Sequence, residues 1–214
     1  MTSFIRLSKF FFGVISLCAT SFLFSNIVLA QQDEGTKPIG HIELSDPADL
    51  TKQQAEDIYL SVLPDIRDIF AHSDIGTAVN FTSWKRYNTA PYISATHGAR
   101  YVNNYANKIA GEYGALKKGE VYPKGTVLAK DSFSVTSDRN VYPGALFLME
   151  KMDKGFNKES GDWRYTMVLP DGSVFGITKG ENAENVGFCI GCHAAKKSAD
   201  HIFFVPEEYR VKAN

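Results

Sequence analysis

Residues 163–177 read WRYTMVLPDGSVFGI, and this stretch decides the fold class. Two runs rich in β-branched and aromatic side chains, 163–169 and 174–177, flank the tetrapeptide PDGS. Proline, aspartate and glycine in a short polar break are typical of a tight turn, so the pattern predicts a β-hairpin. A hairpin in turn favours an antiparallel sheet.

Segments before the hairpin have the same character and are separated by Gly and Pro at short intervals. The three segments are 100–107, 125–135 and 145–152. Together with the hairpin they predict an antiparallel sheet of four or five strands. The fold class we expect is therefore α+β and mainly β.

Helices are predicted on both sides of the sheet segments. Thr51 is a suitable cap for an N-terminal amphipathic helix whose apolar stripe runs from Ala55 to Phe70. Pro64 is expected to restart a turn, so the helix has one part or two. At the other end, residues 181–198 are helical in composition. Residues 202–205 (IFFV) predict a last strand or a packing segment.

The first thirty residues have the three parts of a secretory signal peptide. Arg6 and Lys9 give a basic start, residues 10–29 are largely apolar, and VLA at 28–30 supplies the small residues of a cleavage site. An uncleaved membrane anchor is the alternative, because the apolar run approaches the length of a bilayer span. We expect cleavage after residue 30 and a periplasmic mature protein.

Composition argues against two classes of partner. The chain has 23 basic and 24 acidic residues and a net charge of −1, with no basic stripe. We therefore expect no nucleic-acid partner. No apolar run after the signal peptide is long enough to cross a bilayer, so no membrane partner is expected after cleavage.

The cysteines point to a cofactor. Of the three cysteines, Cys18 lies in the predicted signal peptide, and Cys189 and Cys192 stand in the motif FCIGCH. On a helix, positions i, i+3 and i+4 share one face. Two thiols there can add to the vinyl groups of a haem while His193 ligates the iron. The motif predicts one covalently attached haem c.

Three other interpretations of the CxxC pair are weaker. A thioredoxin-like redox pair belongs in a βαβ unit, which this pattern lacks. A zinc site needs four ligands, and no second CxxC is present among the 3 cysteines. A disulfide across so short a loop would add little stability.

The sixth position of the iron is expected to be open. Met149, Met152 and Met167 all precede the motif on predicted strands, where a methionine is more often core than ligand. His201 lies close in sequence to the proximal side, so packing is the more natural role for it. Open iron means ligand binding or catalysis instead of simple electron relay.

Several segments together resemble the cytochrome P-460 family, which includes the cytochromes c′-beta. They are 97–103 (HGARYVN), 125–130 (GTVLAK), 161–165 (GDWRY) with 170–172 (PDG), and 188–195 (FCIGCHAA). The resemblance implies a mainly antiparallel β fold with the haem against the sheet, often as a dimer. The resemblance covers the haem domain at 81–210. The predicted signal peptide at 1–30 and a polar entry segment with the helix at 31–80 precede it.

The resemblance implies two different functions. Cytochromes P-460 oxidise hydroxylamine and carry a lysine cross-linked to the haem edge, whereas cytochromes c′-beta lack that bond and bind nitric oxide or carbon monoxide. Lys130 matches the position of the cross-linking lysine, and a solvated strand lysine is the alternative. The function we favour is an oxidoreductase that passes electrons to a partner cytochrome. A gas-binding protein is the second hypothesis and an electron carrier the third.

Other residues are weaker candidates for the haem pocket. Each has an ordinary structural role as its alternative: a helix-start carboxylate, a turn, or core packing. Glu181 and Glu184 are candidates for a distal acid or base, His97 and Arg100 for contacts to the haem propionates, and Phe133 and Phe147 for the pocket wall.

We predict that haem stays with the polypeptide through acid-acetone extraction and denaturing electrophoresis, because thioether bonds survive both treatments. Replacing both Cys189 and Cys192 by Ser should abolish this retention in a haem-stained gel. Free extraction of haem from the wild-type protein would contradict covalent attachment.

Overall fold

The structure is a computed structural model that describes residues 47–111, 116 and 119–212. The predicted signal peptide and the first part of the polar entry segment lie outside the described residues. Within the described part of the chain, no helix combines the length and the apolar character that a bilayer crossing requires.

Helix α1 (Lys52–Ala71) begins at the predicted cap. The Thr51 hydroxyl accepts from the Gln54 backbone N–H, and the Gln54 side chain accepts in return from the Thr51 N–H, at 3.2 and 3.0 Å. This reciprocal pair satisfies two backbone donors that the first turn would otherwise leave free. One face of the helix is then buried along the sheet: Ala55, Tyr59, Ile66 and Phe70.

Of the two alternatives at Pro64, the one-part helix is the one observed, because α1 runs through Pro64 as one helix of 20 residues. Proline removes one backbone hydrogen bond and crowds the carbonyl four residues earlier, here that of Leu60. Leu60 is 55% exposed and Pro64 is also exposed, so the defect lies on the solvent side of the helix. Buried residues on either side of Pro64, Tyr59 and Ile66, hold the helix to the sheet across the defect.

Eight antiparallel strands form one sheet in the order β1-β3-β4-β6-β7-β8, with β2 also pairing β3 and β5 also pairing β4. The bounds are β1 (Lys85–Arg86), β2 (Tyr92–Ser94), β3 (Arg100–Ala106), β4 (Val127–Val135), β5 (Val141–Pro143), β6 (Leu146–Lys151), β7 (Trp163–Val168) and β8 (Val174–Ile177). The five longer strands are those the sequence predicted, and the mainly β, α+β class is confirmed.

The β7–β8 hairpin turns where expected. The Gly172 N–H donates to the Leu169 carbonyl, and the Leu169 N–H donates to the Ser173 carbonyl, both at 2.9 Å. Gly172 adopts a φ of 82°, which is favourable for glycine and costly for other residues. The Asp171 carboxylate accepts from the Ser173 N–H at 2.9 Å and holds the turn.

The remaining helices are short. They are α2 (Gly76–Asn80), α3 (Gly187–His193) and the 3₁₀ segments Phe81–Ser83, Ala95–His97, Lys108–Ala110, Ala183–Val186, Ala194–Ala199 and Glu207–Tyr209. The predicted C-terminal helix carrying the motif is therefore α3 with a 3₁₀ turn on each side. Residues 202–205 form no strand; Ile202 and Val205 are buried against the sheet, so they are a packing segment.

Side chains alternate between the two faces of the sheet. We call the face that packs against α1 the helix face; its core includes Ala129, Phe133 and Leu148. The opposite face, which we call the motif face, includes Leu128, Tyr165 and Trp163 and is covered by Cys189, Ile190 and Ile202 among others. Each face thus has its own apolar core, and the central strand β4 serves both.

A buried polar cluster connects α1 to the helix face. The Tyr59 hydroxyl donates to the Asp131 carboxylate at 2.8 Å and also contacts the Tyr105 hydroxyl. The Asn103 backbone and side-chain N–H groups donate to the other oxygen of Asp131 at 3.1 and 3.0 Å. Asp131 has no exposed surface, and these donors replace the water it loses on burial.

The Asp131 carboxyl should give the protein a characteristic pH dependence. Burial raises its pKa from 3.8 to about 6, although the hydrogen bonds from Tyr59 and Asn103 lower it. The native state therefore keeps a proton that the unfolded chain loses between about pH 4 and pH 6, so stability falls as pH rises through that window. The decline due to this group should reach up to about 3 kcal/mol.

Asp131→Asn cannot ionise, so the variant should lack this part of the decline in its free energy of unfolding. Chemical denaturation between pH 4 and pH 6 measures the difference in slope. Asp153→Asn, which alters a carboxylate 75% exposed on the surface, is the control and should keep the wild-type slope. Equal slopes in Asp131→Asn and the wild type would contradict the prediction.

Candidate functional site

Helix α3 presents its thiols and imidazole on one side. The helix follows Val186, which is fully buried and fixes the start of the segment to the motif face. Cys189 is half-buried and Cys192 is exposed; both thiols are free, so no disulfide joins them. Both cysteines and His193 line the same cavity, as their i, i+3, i+4 spacing requires.

This cavity lies between α3 and the motif face of the sheet. Its apolar wall is formed by Leu128, Phe147, Met149, Phe188, Ile202 and Phe203, among others. Its polar members are Thr96, His97, Asn104, Lys130, Tyr165 and Thr166. A wall of this composition suits a flat apolar molecule that is held at a few defined points.

His193 is prepared for metal ligation. Its Nδ1 donates to the backbone carbonyl of His201 at 2.7 Å, which leaves Nε2 for a metal. The rings of Tyr165 and Phe203 each lie 5.2 Å from the imidazole, between ring centroids, and fix its plane. Burial lowers the pKa of His193 to about 4, so the imidazole is neutral near pH 7, the form that binds a metal.

The residues of the cavity fit a haem. Two free thiols and a neutral imidazole with a fixed tautomer are the groups that thioether attachment and axial ligation need. The Tyr165 hydroxyl is buried in the same place and has no hydrogen-bond partner among the described residues. An unpaired buried donor is costly, which is consistent with a cavity whose polar groups are completed by a bound molecule.

Lys130 faces the cavity from the centre of the sheet. It pairs with Asn104 on β3 and with Phe147 on β6, and both partners also line the cavity. Lys130 alone among the β4 residues is partly exposed. Burial lowers the pKa of its ammonium group to about 8, against an opposing effect of Cys192, so a larger share of the amine is neutral than for a surface lysine.

The three methionines considered as iron ligands differ in whether they line the cavity. Met149 lines the cavity, whereas Met152 and Met167 are partly buried elsewhere. Met149 pairs directly with Tyr165, whose ring contacts His193. His201 is buried and contributes its backbone carbonyl to His193.

The weaker candidates divide between the cavity and other places. His97 and Phe147 line the cavity, and their rings lie 4.8 Å apart. Arg100 is not part of the cavity wall; it donates to the His97 carbonyl at 3.4 Å. Glu181 and Glu184 are exposed outside the cavity.

Phe133 has the core-packing role that was its stronger alternative, and it does not line the pocket. Phe133 lies fully buried on the helix face, stacked between Tyr59 and Tyr101. It is three positions from Lys130 in the same strand, and residues an odd number apart point to opposite faces. Alternation along 127–135 would have given this result from the sequence.

Asn104, Leu128 and Tyr165 belong to the cavity wall but were not singled out from the sequence. Asn104 and Leu128 are placed there by the registers Asn104↔Lys130 and Leu128↔Met149. Tyr165 follows from Met149↔Tyr165. The signal that could have found them is alternation within each strand, combined with a register that the sequence does not provide.

The competing interpretations of the motif find no structural support. Within the described ranges, no group of three or more His, Cys, Asp or Glu side chains converges as a zinc site would require. The sheet next to the motif is antiparallel, so the CxxC pair does not stand in a βαβ unit of thioredoxin type.

An antiparallel sheet with a CxxCH helix over an apolar cavity defines a haem-binding protein of the c type. The comparison with family models agrees: the cytochrome P460 model matches residues 79–204, more than half of the chain, and the chain belongs to that family. No curated protein matches the sequence.

We predict that His193 is the one strong protein ligand to the iron. His193→Gly should shift the haem spectrum, and added imidazole should restore it by occupying the space left by the side chain. Met149→Leu should leave the spin state unchanged, with Met152→Leu as the control outside the cavity. A low-spin ferrous spectrum that disappears in Met149→Leu would instead favour an electron carrier.

Proposed function

We propose that this protein is an exported cytochrome with a single haem c, which oxidises hydroxylamine or nitric oxide at an open face of the iron. The observation that carries the proposal is the convergence of Cys189, Cys192, His193 and Lys130 on one cavity with an apolar wall. The periplasm is the proposed location, from the predicted signal peptide at 1–30.

Each residue has a distinct role. Cys189 and Cys192 hold the cofactor by thioether bonds, and His193 supplies the axial nitrogen. Bound haem supplies an iron centre that exchanges electrons with a small ligand. Met149 pairs with Tyr165, whose ring contacts His193, so in the holoprotein Met149 would pack beside this histidine instead of binding the iron.

The chemistry needs an exit for electrons and protons. Oxidation of hydroxylamine to nitric oxide releases both in equal number. Cys192 is exposed, so the edge of a haem attached there would approach the surface, where a partner cytochrome could take the electrons. The partner is expected to act in the same compartment.

Lys130 favours the enzyme over a passive binder. The side chain lies in the cavity, and its lowered pKa makes the amine a better nucleophile toward the haem edge. Forming a nitrogen–carbon bond there breaks one N–H and one C–H bond and releases two protons and two electrons. The step therefore needs a two-electron oxidant; we propose a peroxide, which takes up both and is reduced to water. Such a bond distorts the macrocycle and changes its electronic properties.

A gas-binding protein is the second candidate, and the aromatic and aliphatic wall supports it. Phe147, Phe188 and Phe203 all border the cavity. Side chains of this kind suit a neutral diatomic molecule, which needs no charged partner. In that case Lys130 would remain a free amine, and nitric oxide would bind without turnover.

We predict that Lys130 is bonded to the haem. Mass spectrometry of proteolysed holoprotein should find the Lys130 peptide and the peptide that contains Cys189 and Cys192 in one species with haem. The ferrous Soret band should be red-shifted. Both signals should disappear in Lys130→Arg, and oxidation of hydroxylamine should fall at least about tenfold.

Lys124→Arg is the matched control, because it changes a neighbouring lysine whose side chain is 66% exposed. The control should keep the cross-link, the Soret position and the activity. A free Lys130 peptide with the spectrum of an ordinary five-coordinate haem c would place the nitric-oxide binder first. Failure of Cys189 and Cys192 to retain haem would overturn both candidates.

A further inference from the structure

The turn at residues 200 and 201, which follows the 3₁₀ segment Ala194–Ala199, contains the atom to which the His193 imidazole donates. That atom is the backbone oxygen of His201, 2.7 Å from the imidazole Nδ1. Asp200 and His201 both adopt left-handed backbone conformations, with φ values of 50° and 64°. Two consecutive non-glycine residues in this region are strained, so their surroundings have to hold them there.

A buried ion pair under the turn is one restraint; the His201 backbone N–H also donates to the Lys196 carbonyl at 2.8 Å. The Lys151 ammonium group lies 2.6 Å from the Asp200 carboxylate and donates also to the Gly161 carbonyl at 2.8 Å. The two side chains are 8% and 3% exposed. Lys151 comes from the end of β6, so the pair joins the turn directly to the sheet.

Two further bonds complete the attachment of Asp200. Its second carboxylate oxygen accepts from the Tyr122 backbone N–H, and its backbone carbonyl accepts from the Trp163 indole N–H, each at 2.8 Å. Trp163 is fully buried in the motif face. Asp200 is thus bound to three separate segments of the chain.

Close packing of Gly161 against the His201 ring also restricts the position of His201. A Cβ atom at Gly161 would lie 2.5 Å from the His201 ring, so only glycine fits at this position. The turn keeps this geometry although the buried Nδ1 of His201 has no partner among the described residues. The position of the His201 carbonyl is therefore imposed by its surroundings.

We propose that the buried pair Asp200–Lys151 is a positioning device for the axial histidine. By fixing the His201 carbonyl, the pair holds the hydrogen bond that orients His193 and makes its other nitrogen a stronger donor to iron. Hydrogen bonds of this outer kind tune the metal through its ligand. The inference rests on the proposed ligation of iron by His193, but it does not depend on which substrate the iron receives.

The test uses ferrous and ferric holoprotein of Asp200→Asn and of the double variant Asp200→Asn/Lys151→Met. The double variant removes both charges, so it leaves no unpaired buried charge to unfold the protein. The readouts are the iron–histidine stretching frequency, the reduction potential and the rate at which nitric oxide displaces the histidine. Thermal unfolding is recorded in parallel.

Both variants should show a lower iron–histidine frequency and a higher reduction potential, because a looser acceptor makes the imidazole a weaker donor. Displacement of the histidine should be at least roughly tenfold faster. Glu56→Gln is the matched control: it breaks the half-buried Arg86–Glu56 pair on the opposite side of the sheet. It should lower the unfolding temperature and leave all three haem readouts at their wild-type values.

Folded variants with wild-type frequency and potential would overturn the positioning role alone. Equal shifts in Glu56→Gln would also overturn it, because they would show a general effect of destabilisation. A wild-type protein without an iron–histidine band would refute ligation by His193 and this inference together. Absence of hydroxylamine oxidation would refute the proposed reaction only. The three haem readouts would still decide whether the Asp200–Lys151 pair positions His193.

Discussion

Strand β4 is buried on both sides, and the arrangement of the whole domain follows from this constraint. Its backbone pairs with β3 along one edge and with β5 and β6 along the other, so its position is fixed in the plane of the sheet. Helix α1 covers one face and the segment around α3 covers the other. Polar residues on such a strand need partners, because burial removes most of the water around them.

The two charged residues of the strand are accommodated in different ways. Asp131 receives hydrogen bonds from Tyr59 and Asn103 and helps to attach α1. Lys130, which precedes Asp131 in the strand, is directed to the cavity and lies among groups suited to haem. One strand therefore contributes to the stability of the fold and to the site, through neighbouring side chains on opposite faces.

Much of this architecture could be predicted from the sequence, because its signals are local. The five longer strands, the hairpin turn at Gly172 and the capping of α1 by Thr51 all depend on residues within a few positions of one another. The motif at 188–193 likewise carries its own chemistry. Strands β1, β2 and β5 have two or three residues each, too few for a periodic pattern.

The rest depends on contacts between distant parts of the chain. Lys151 and Asp200 look like ordinary surface charges in the sequence, yet they form a buried pair beneath the turn that supports His193. The cavity wall is assembled from β3, β4, β6 and β7 by the strand registers. Pro64 left a one-part or a two-part helix open, and burial of the helix on both sides of it keeps the helix continuous.

The register of β4 also decides which charged side chain faces the cavity. Since successive side chains point to opposite faces, a slip of one residue against β3 and β6 would turn Asp131 toward the cavity and Lys130 toward Tyr59. The pocket would then contain a carboxylate instead of an amine, with no change in composition. The charge that the pocket carries therefore depends on how the backbones pair. A shift of the register by one residue would exchange a positive group in the pocket for a negative one.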